Sequence, residues 1–295
     1  MKIAIYGRLT DNTDITTLCR FFEYLKVVQI QAQMYAPYYQ AIQEKYAGIL
    51  SFYEIPLFEQ AIEIGKVKII YSMGGDGTVL ECVRLFGKLQ KPIFGVNFGR
   101  LGYLTCITQD DLIQATEDLR RDMYRIDERD LLSVVSDPPG IFGEENFGLN
   151  DLTLHKSHTN EMITVHTYVN GEFLNSYKGD GLIIATPTGS TAYSLACGGP
   201  IIFPASENFI ITPVAPHSLT VRPVIIPNTC VVSCEVVSRS GQAMVALDTQ
   251  TKIIQPNMAL AIRKADWRVQ LVRLYDTKYV ATLRRTLMWG NDARK

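Results

Sequence analysis

The sequence has no apolar run long enough to cross a membrane. Its apolar stretches are short, and the one at residues 201–205 is interrupted by a proline, whereas a transmembrane helix needs about 20 mostly apolar residues. The run after Met1 and Lys2 ends at Gly7 and is too short for the core of a signal peptide. We therefore expect no membrane partner and a cytoplasmic location.

The chain also lacks an excess of charge of either sign. Its 29 lysine and arginine residues balance 30 aspartate and glutamate residues, for a formal net charge of −1. Proteins whose main activity is nucleic-acid binding usually carry a basic face. A local basic patch remains compatible with this composition, but nucleic acid is not an expected partner.

Cysteine and histidine pairs at metal-binding spacings are missing as well. The six cysteines, at positions 19, 82, 106, 197, 230 and 234, form no C-x-x-C pair, and the four histidines show no ligand spacing. Zinc sites and disulfide frameworks both depend on such patterns. We expect reduced thiols, and the sequence assigns no residue as a metal ligand.

The first 125 residues or so alternate short apolar strands with helical patterns. A strand at 2–6 precedes the helix-spaced residues Ile15, Leu18, Phe22 and Leu25. Such alternation predicts a parallel sheet covered by helices, an α/β domain. The other elements predicted in this part are strands at 28–34, 67–72 and 93–97 and helices at 38–46, 78–88 and 110–121.

After Arg125, helical periodicity gives way to β-branched and aromatic runs broken by glycine, proline and asparagine. The alternation on both sides of Asn170-Gly171 predicts a β-hairpin, and residues 279–289 return to a helical pattern. We predict an α/β domain at 1–125, completed by 278–295, and a β-rich domain at 126–277. The C-terminal helix is expected to return to the first domain.

The segment Ser72-Met-Gly-Gly-Asp-Gly-Thr78 lies between a predicted strand and a predicted helix. Glycine lets the backbone approach a ligand closely, and a helix N-terminus offers N–H groups to an anion. No P-loop lysine follows; Asp76 stands among the glycines instead. A carboxylate beside a phosphate cradle favours proton transfer from an attacking hydroxyl, or a bridging Mg²⁺. The alternative is a tight turn with Asp76 as a helix N-cap.

A second Gly-Asp-Gly, at 179–181, leads into an apolar strand and then into residues 186–194, most of which are small, hydroxylated or proline. Such a segment exposes amides and hydroxyls that suit an adenine or a sugar. Taken alone, it is more typical of a Ser/Thr-rich turn. Asn150-Asp151 is ambiguous in the same way, between an Asx turn and a pair that binds ribose hydroxyls.

Five segments together resemble the NAD kinase family, in the family's order over nearly the whole chain. The glycine-rich loop alone is shared with diacylglycerol and sphingoid-base kinases and, more loosely, with phosphofructokinases. The segment at 179–194 is far more specific. The five segments are Gly-Gly-Asp-Gly-Thr at 74–78, residues 95–104, Asn-Asp at 150–151, residues 179–194 and Pro-His-Ser-Leu-Thr-Val-Arg-Pro at 216–223.

The resemblance implies a kinase that transfers a phosphoryl group from ATP, with Mg²⁺ or another divalent cation, to the 2′-hydroxyl of the adenosine ribose of NAD. It also implies a sandwich-like second domain and a homodimer or homotetramer. Asp76 would be the catalytic carboxylate, and Asn150 and Asp151 would hold the ribose hydroxyls. The other residues that the resemblance assigns to substrate binding are Gly74, Gly75 and Gly77 at phosphate, Tyr103, Thr188, Thr191 and Ala192 on the adenine side, and Thr78, Lys178, Asp180, Tyr193, Ser194, Ala196 and Gln250.

The chain departs from the family pattern at two places. Asp-Gly-Gln is common where this chain has Asp248-Thr249-Gln250, and Phe and Leu are expected where it has Tyr103 and Phe98. Two other functions stay open: a lipid kinase that shares the glycine-rich loop, and a non-catalytic NAD(P)-binding sensor. No basic amphipathic helix favours the first, and a sensor would not need a carboxylate that faces phosphate.

Overall fold

The computed structural model describes residues 1–46, 48–99, 102–255, 258–275 and 278–289. Contacts between residues divide the chain into two compact units. Unit 1 comprises residues 1–128 and 269–295, and unit 2 comprises residues 129–268. The boundaries predicted from the sequence lie after residues 125 and 277, and these domain limits stay a prediction. No helix of the described residues is long and apolar enough to cross a bilayer.

Unit 1 is built on a parallel sheet, as the alternating pattern predicts. Its strands lie in the order β3-β2-β1-β4-β5, with β6 beside β5, and each neighbouring pair is parallel. Those strands are β1 Lys2–Gly7, β2 Gln31–Tyr35, β3 Leu57–Phe58, β4 Ile69–Gly74, β5 Ile93–Asn97 and β6 Ile107–Thr108. The helices between them are α1 Ile15–Val27, α2 Ala36–Lys45, α3 Asp76–Phe86 and α4 Leu112–Arg120.

Helix α1 shows how the sequence pattern produces the core of unit 1. The Asp14 carboxylate caps the helix by accepting the Thr16 N–H at 2.9 Å. Leu18, Phe21, Phe22 and Leu25 recur at the helical period and are buried against the sheet. The ring of Phe21 packs against that of Tyr71 on β4, with centroids 6.0 Å apart.

Unit 2 consists of two antiparallel sheets that share one hydrophobic core. One sheet has the order β14-β13-β12-β9-β16-β17, and the other contains β11-β10-β15-β18. The strands are β7 Tyr124–Asp137, which begins in unit 1, β8 Phe147–Gly148, β9 Asp151–Lys156, β10 Ile163–Val169, β11 Glu172–Gly179, β12 Gly181–Ala185, β13 Asn208–Val214, β14 Val224–Pro227, β15 Val232–Val237, β16 Ala243–Leu247, β17 Gln250–Ile254 and β18 Ala259–Leu274. A short helix, α5 Tyr193–Ala196, lies between β12 and β13.

The predicted hairpin is confirmed. Strands β10 and β11 pair on either side of Asn170 and Gly171, whose φ angles are +52° and +84°. Two successive positive φ angles are the requirement of a type I′ turn, which matches the twist of the flanking strands.

The chain returns to unit 1 near the end of β18. Leu271 of this strand pairs in parallel with Ile93 on β5, and the last helix, α6 Tyr279–Thr286, follows. Its residues Ala281 and Thr282 line a cavity together with Ala115 of α4. The expected return of the C-terminal helix to the α/β part is therefore confirmed, although the helix ends at Thr286 and residues 290–295 lie outside the described residues.

Two positions on α1 test the burial of its apolar face. Leu18 is fully buried, whereas Val27 is 80% exposed. Leu18→Ala is expected to lower the free energy of unfolding by about 2–5 kcal/mol, and Val27→Ala by less than about 0.5 kcal/mol. Urea denaturation followed by circular dichroism measures both. Equal losses in the two variants would contradict this packing.

Candidate functional site

The strand order of the sheet in unit 1 reverses next to β1. Strands β2 and β3 lie on one side of it and β4 and β5 on the other. In open parallel sheets, ligands bind outside the carboxyl ends of the strands at such a reversal. A cavity of about 370 Å³ lies there, lined by Thr10 and Asn12 after β1, by Gly74, Gly75 and Asp76 at the end of β4, and by Asn97, Phe98, Gly99 and Gly102 after β5.

The glycine-rich loop is the turn between β4 and α3. A Cβ on Gly74 would lie 2.2 Å from the hydroxyl oxygen of Thr78, which accepts the Gly75 N–H at 3.3 Å. Cβ atoms on Gly75 and Gly77 would meet no other atom within 4 Å. The loop therefore packs at Gly74 and has open space beside Gly75 and Gly77, at the N-terminus of α3, the end at which a helix has unpaired N–H groups.

The Asp76 carboxylate bonds to the backbone of the loop after β5. Its Oδ2 accepts the Tyr103 N–H at 2.7 Å. Its Oδ1 accepts the N–H groups of Leu104 and Thr105, both at 3.1 Å, and the Thr105 hydroxyl at 3.2 Å. The alternative of Asp76 as a helix N-cap is wrong, because Gly75 is the N-cap and Asp76 is the first helical residue.

The loop after β5 is shaped to receive this carboxylate. A Cβ on Gly102 would lie 2.2 Å from Asp76 Oδ1, so the close approach depends on glycine. The buried Asn97 donates from Nδ2 to the Thr105 hydroxyl at 3.1 Å. Burial, and then the charge of Asp76, raise the pKa of Tyr103, whose hydroxyl is buried without a hydrogen-bond partner among the described residues. Residues 100 and 101 of the motif at 95–104 lie outside the described residues.

In unit 2, the Asn150-Asp151 pair is held by a carboxylate from a distant part of the chain. Asp248 accepts the backbone N–H groups of Leu149 at 2.6 Å, Asn150 at 2.9 Å and Asp151 at 3.1 Å. The Asp248 N–H in turn donates to the Asp151 carbonyl at 3.1 Å. The Asp248 carboxylate therefore holds the turn by binding the backbone N–H groups of residues 149–151. This arrangement does not use the Asn150 side chain.

The carboxyl groups of Asp151 and Asp248 both have raised pKa values. Burial and the charge of Asp248 raise the pKa of Asp151 to about 7, against a hydrogen bond from the Thr153 hydroxyl at 3.1 Å. Burial also raises the pKa of Asp248 to about 6, against the three amide donors. Burial therefore disfavours the charged form of both carboxyl groups, and the charge of Asp248 adds to this effect at Asp151.

The segment after β12 packs directly on Asn150. The Thr186 N–H donates to the Asn150 carbonyl at 2.8 Å, and a Cβ on Gly189 would lie 2.1 Å from that same oxygen. The Asn150-Asp151 pair and the segment after β12, which are separate motifs in the sequence, are therefore in contact within unit 2.

The expectation that this segment exposes its hydroxyls is wrong for four residues, Thr188 and the three that follow. Thr186, Ser190 and Ser194 are fully buried and bond to the Leu149 carbonyl, the Pro187 carbonyl and the Thr212 hydroxyl. These hydroxyls stabilise the turn because buried polar groups need partners. The assignment of Ser194 to substrate stays a prediction, and its hydroxyl already has a partner in the fold.

Some of the other predicted residues of unit 2 lie close together. Asp180 pairs with Lys156, Oδ1 to Nζ at 2.7 Å. Tyr193 is 41% exposed, and burial, then Cys197, then the charges of Asp180 and Asp151 raise its pKa. Asp151, Asp180 and Tyr193 are therefore near enough to interact electrostatically.

The remaining predicted residues are more dispersed. Thr188 is buried, and its hydroxyl accepts from Arg129 Nη1 at 3.1 Å. Gln250 donates from Nε2 to the Glu145 carbonyl at 2.9 Å. Thr191 and Ala192 are half-buried, and Lys178 and Ala196 are exposed. Within the described part of the chain, Thr188 and Gln250 have different partners, Arg129 and Glu145.

No pattern in the sequence assigns a role to Asp248, Lys156 or Arg129. Asp248 was visible only as part of a departure from the family pattern. Lys156 and Arg129 lie among ordinary charged positions, and no local spacing distinguishes them. Each acts through a contact between residues that are distant in sequence, by 98 positions in the bond from Asn150 to Asp248.

Within the described part of the chain, no group of three or more His, Cys, Asp or Glu residues is placed to hold a metal ion. Among the described residues that line the cavity beside the glycine-rich loop, Asp76 is the acidic one. Mg²⁺ commonly keeps several waters and binds one or two carboxylates together with substrate phosphates. The donor set fits a cation that arrives with a phosphate ligand.

Comparison with known proteins gives matches along most of the chain. The family model of the ATP-NAD kinase N-terminal domain matches residues 24–124, and that of the ATP-NAD kinase C-terminal domain matches residues 149–274. The NAD kinase of Cytophaga hutchinsonii is 40% identical over 294 residues, with 100% of both chains covered. That of Flavobacterium johnsoniae is 36% identical over 295 residues, again with 100% of both covered.

Solved structures share the fold. Yeast NADH kinase complexed with NADH has a TM-score of 0.86 at 19% identity, covering 99% of this chain and 88% of its own. An NAD kinase from Archaeoglobus fulgidus in complex with ATP has a TM-score of 0.72 at 24% identity, covering 98% of this chain and 99% of its own. At these identities the likeness establishes the fold alone.

The raised pKa of Asp151 predicts a stability that depends on pH. An unfolded aspartate loses its proton near pH 4, whereas folded Asp151 keeps it until about pH 7. The folded state therefore binds more protons between these values, and the free energy of unfolding falls as pH rises through this window. Asp151→Asn removes this contribution, so its stability relative to wild type should rise from pH 4 to pH 7.

Urea denaturation at pH 4, 5.5, 7 and 8 measures this difference. Asp266→Asn, at an exposed carboxylate paired with Arg263, is the control and should follow the wild-type profile. Parallel profiles for Asp151→Asn and wild type would contradict the raised pKa.

Proposed function

The chain belongs to the NAD kinase family, and we propose that it transfers the γ-phosphoryl group of ATP to the 2′-hydroxyl of the adenosine ribose of NAD. One observation carries this proposal. The Asp76 carboxylate is held at the first residue of α3, beside an open glycine-rich turn at the carboxyl edge of a parallel sheet. The turn supplies an anion cradle and Asp76 a proton acceptor, which is what transfer to an alcohol requires.

The glycine-rich loop is proposed to bind the phosphates of the donor. Gly75 and Gly77 leave open space beside the backbone, so phosphate oxygens can approach the N–H groups at the start of α3. The positive end of the helix dipole adds to their attraction. Gly74 and Thr78 pack against each other and give the loop its shape.

Asp76 is proposed to accept the proton of the attacking hydroxyl. As the 2′-oxygen bonds to the γ-phosphorus, the bond from that phosphorus to the β,γ-bridging oxygen breaks and ADP leaves with the electron pair. Because the transition state is loose, the hydroxyl becomes acidic only late, and a carboxylate at the right position suffices as base. Oδ2 is the oxygen we assign to this role, since it accepts one protein hydrogen bond whereas Oδ1 accepts three.

Mg²⁺ or another divalent cation is proposed to accompany ATP. Asp76 would be its protein neighbour in unit 1, and most of its remaining ligands would be phosphate oxygens and water. When bound, such a cation supplies charge neutralisation at the phosphates.

The residues of unit 2 are proposed to bind NAD. Asn150 and Asp151 would bind the ribose hydroxyls, because Asp248 fixes their backbone while the Asn150 side chain stays available for a ligand. The other residues of unit 2 that we propose to contact substrate are Lys178, Asp180, Thr188, Thr191, Ala192, Tyr193, Ser194, Ala196 and Gln250. In unit 1, Tyr103 stays a predicted substrate contact. A homodimer or homotetramer and a cytoplasmic location also stay predictions.

Incubation of the purified protein with NAD, ATP and MgCl₂ tests the function. An NADP-specific dehydrogenase should detect NADP that depends on both ATP and enzyme. Parallel reactions offer diacylglycerol or sphingosine with radiolabelled ATP. Labelled lipid without NADP would support a lipid kinase instead, and NAD binding without product would support a sensor.

Asp76→Asn tests the catalytic carboxylate. The amide cannot accept a proton at neutral pH, and its NH₂ group cannot replace a carboxylate oxygen as acceptor of the loop N–H groups, so kcat should fall by about 10²–10⁴-fold. The Kd of NAD, measured by calorimetry, should stay within about three-fold. Asp110→Asn, at an exposed carboxylate, is the control and should keep wild-type kcat. Turnover of Asp76→Asn within about three-fold of wild type would show that Asp76 is not the base.

Asn150→Ala tests the ribose contact. Loss of a hydrogen bond to substrate should raise the KM for NAD by about 5–150-fold, since an unpaired polar partner costs about 1–3 kcal/mol. The Tm should hardly change, because the bonds to Asp248 and Thr186 are made by the Asn150 backbone. Asn160→Ala, at an exposed position, serves as the control. A lowered Tm with unchanged KM would support a purely structural turn.

A further inference from the structure

Arg273 is a buried guanidinium in β18 to which the mechanism above gives no role. Its side chain lies in unit 1 and is almost fully enclosed, with 5% of the residue exposed. Nη2 donates to the Tyr103 carbonyl at 3.1 Å, and Nη1 donates to the Leu104 carbonyl at 3.0 Å. The other contacts are from Nη1 to Cys106 Sγ at 3.2 Å and from Nε to Asp127 Oδ2 at 3.3 Å.

These two carbonyls belong to the peptide groups whose N–H groups bind Asp76. The peptide that joins residues 103 and 104 has its carbonyl on Arg273 and its N–H on Asp76 Oδ1. The peptide that joins residues 104 and 105 has the same arrangement. Arg273 and Asp76 therefore lie at opposite ends of the same two peptide groups, an arrangement that we call the peptide relay.

The relay fixes the orientation of both peptides. A peptide group is planar, so its N–H cannot turn away from Asp76 unless its carbonyl also leaves Arg273. The bond to a charged guanidinium is stronger than one between neutral groups, and a donor at the carbonyl polarises the N–H at the other end. Both effects hold the amides of Leu104 and Thr105 on Oδ1.

The loop backbone at Gly102 restricts the movement of the Asp76 carboxylate. A Cβ on Gly102 would lie 2.2–2.3 Å from the atoms of the Asp76 carboxyl group, so the loop backbone is in close contact with it. Asn97 also holds the Thr105 hydroxyl, which donates to Oδ1. Because Oδ1 is fixed by the relay, the direction of Oδ2 is fixed too.

We propose that Arg273 is a positioning residue, which sets the orientation of the Asp76 carboxylate through the peptide relay and so raises the rate of phosphoryl transfer without contacting either substrate. This inference rests on the proposed function. Burial of a guanidinium has a large desolvation cost, and Asp127 at 3.3 Å from Nε offsets part of it. A misplacement of a reacting group by about 1 Å can cost about 100-fold in rate. The burial of the Arg273 guanidinium is therefore explained by its effect on the rate of phosphoryl transfer rather than by its effect on stability.

The test is a double-mutant cycle in which kcat is measured for Arg273→Met, Asp76→Asn and the double variant. Arg273→Met should lower kcat by about 10–100-fold and leave the KM values of NAD and ATP within about three-fold. Arg273→Lys, which retains the charge and can donate to one carbonyl, should recover part of the loss. In the Asp76→Asn background, Arg273→Met should cost less than about two-fold, because the group it positions is gone.

Gln33→Met is the matched control for a buried polar group of the same unit. Gln33 lies on β2 and donates to the Ile64 carbonyl at 2.8 Å, so its loss should lower the Tm but not kcat. Hydrogen exchange gives a readout that needs no activity. The amides of Leu104 and Thr105 should exchange faster in Arg273→Met and at the wild-type rate in Gln33→Met.

Three results would overturn the proposal: kcat of Arg273→Met within three-fold of wild type, equal losses from Arg273→Met with and without the Asp76 carboxylate, or unchanged exchange at Leu104 and Thr105. If Arg273→Met does not fold, Arg273→Lys replaces it in the same cycle. A wild-type protein that forms no NADP would refute the proposed function instead, and the exchange experiment would still test the relay.

Discussion

The hydrogen bonds between the Asp76 carboxylate and the amides of residues 103–105 are the constraint on which the site of unit 1 depends. They join the loops that follow β4 and β5, two neighbouring strands of a parallel sheet. Parallel strands bring both loops to one edge, and glycine at 102 allows the contact. Without the carboxylate, three amides would lose their acceptor. Asp76 therefore organises the loop as much as the loop organises Asp76.

Unit 2 uses the same device with the roles exchanged. Asp248 accepts three consecutive amides, those of Leu149, Asn150 and Asp151, as Asp76 accepts three in unit 1. In unit 1 the carboxylate is the proposed reactive group, and the three amides hold it in position. In unit 2 the carboxylate holds the backbone in position, and two of the residues whose amides it binds, Asn150 and Asp151, make the proposed ligand contacts. In both units a carboxylate binds consecutive main-chain amides, and in unit 2 this leaves the Asn150 side chain available for substrate.

The sequence predicts those parts of the structure that local patterns determine. Periodicity predicts α1 and the parallel sheet, and Asn170-Gly171 predicts its hairpin because both residues tolerate positive φ. Composition cannot tell which way a hydroxyl points, so Thr186, Ser190 and Ser194 were expected outside and lie inside. The four-residue helix α5 is shorter than any window in which helical periodicity is visible. Arg273 and Tyr103 are separated by 170 positions, and no pattern within one segment relates residues so distant.

A fixed carboxylate also limits how the proposed chemistry can proceed. Oδ1 accepts three hydrogen bonds, from the N–H groups of Leu104 and Thr105 and from the Thr105 hydroxyl. Asp76 therefore cannot swing to follow a substrate, and the substrate hydroxyl must be brought to Oδ2. Preorganisation of this kind lowers the barrier because no rearrangement is needed when the reaction occurs. It suits a reaction whose proton is released late, since the base then needs the right position more than high basicity. A buried guanidinium is justified on the same ground, because it keeps the peptides that hold Asp76 from turning.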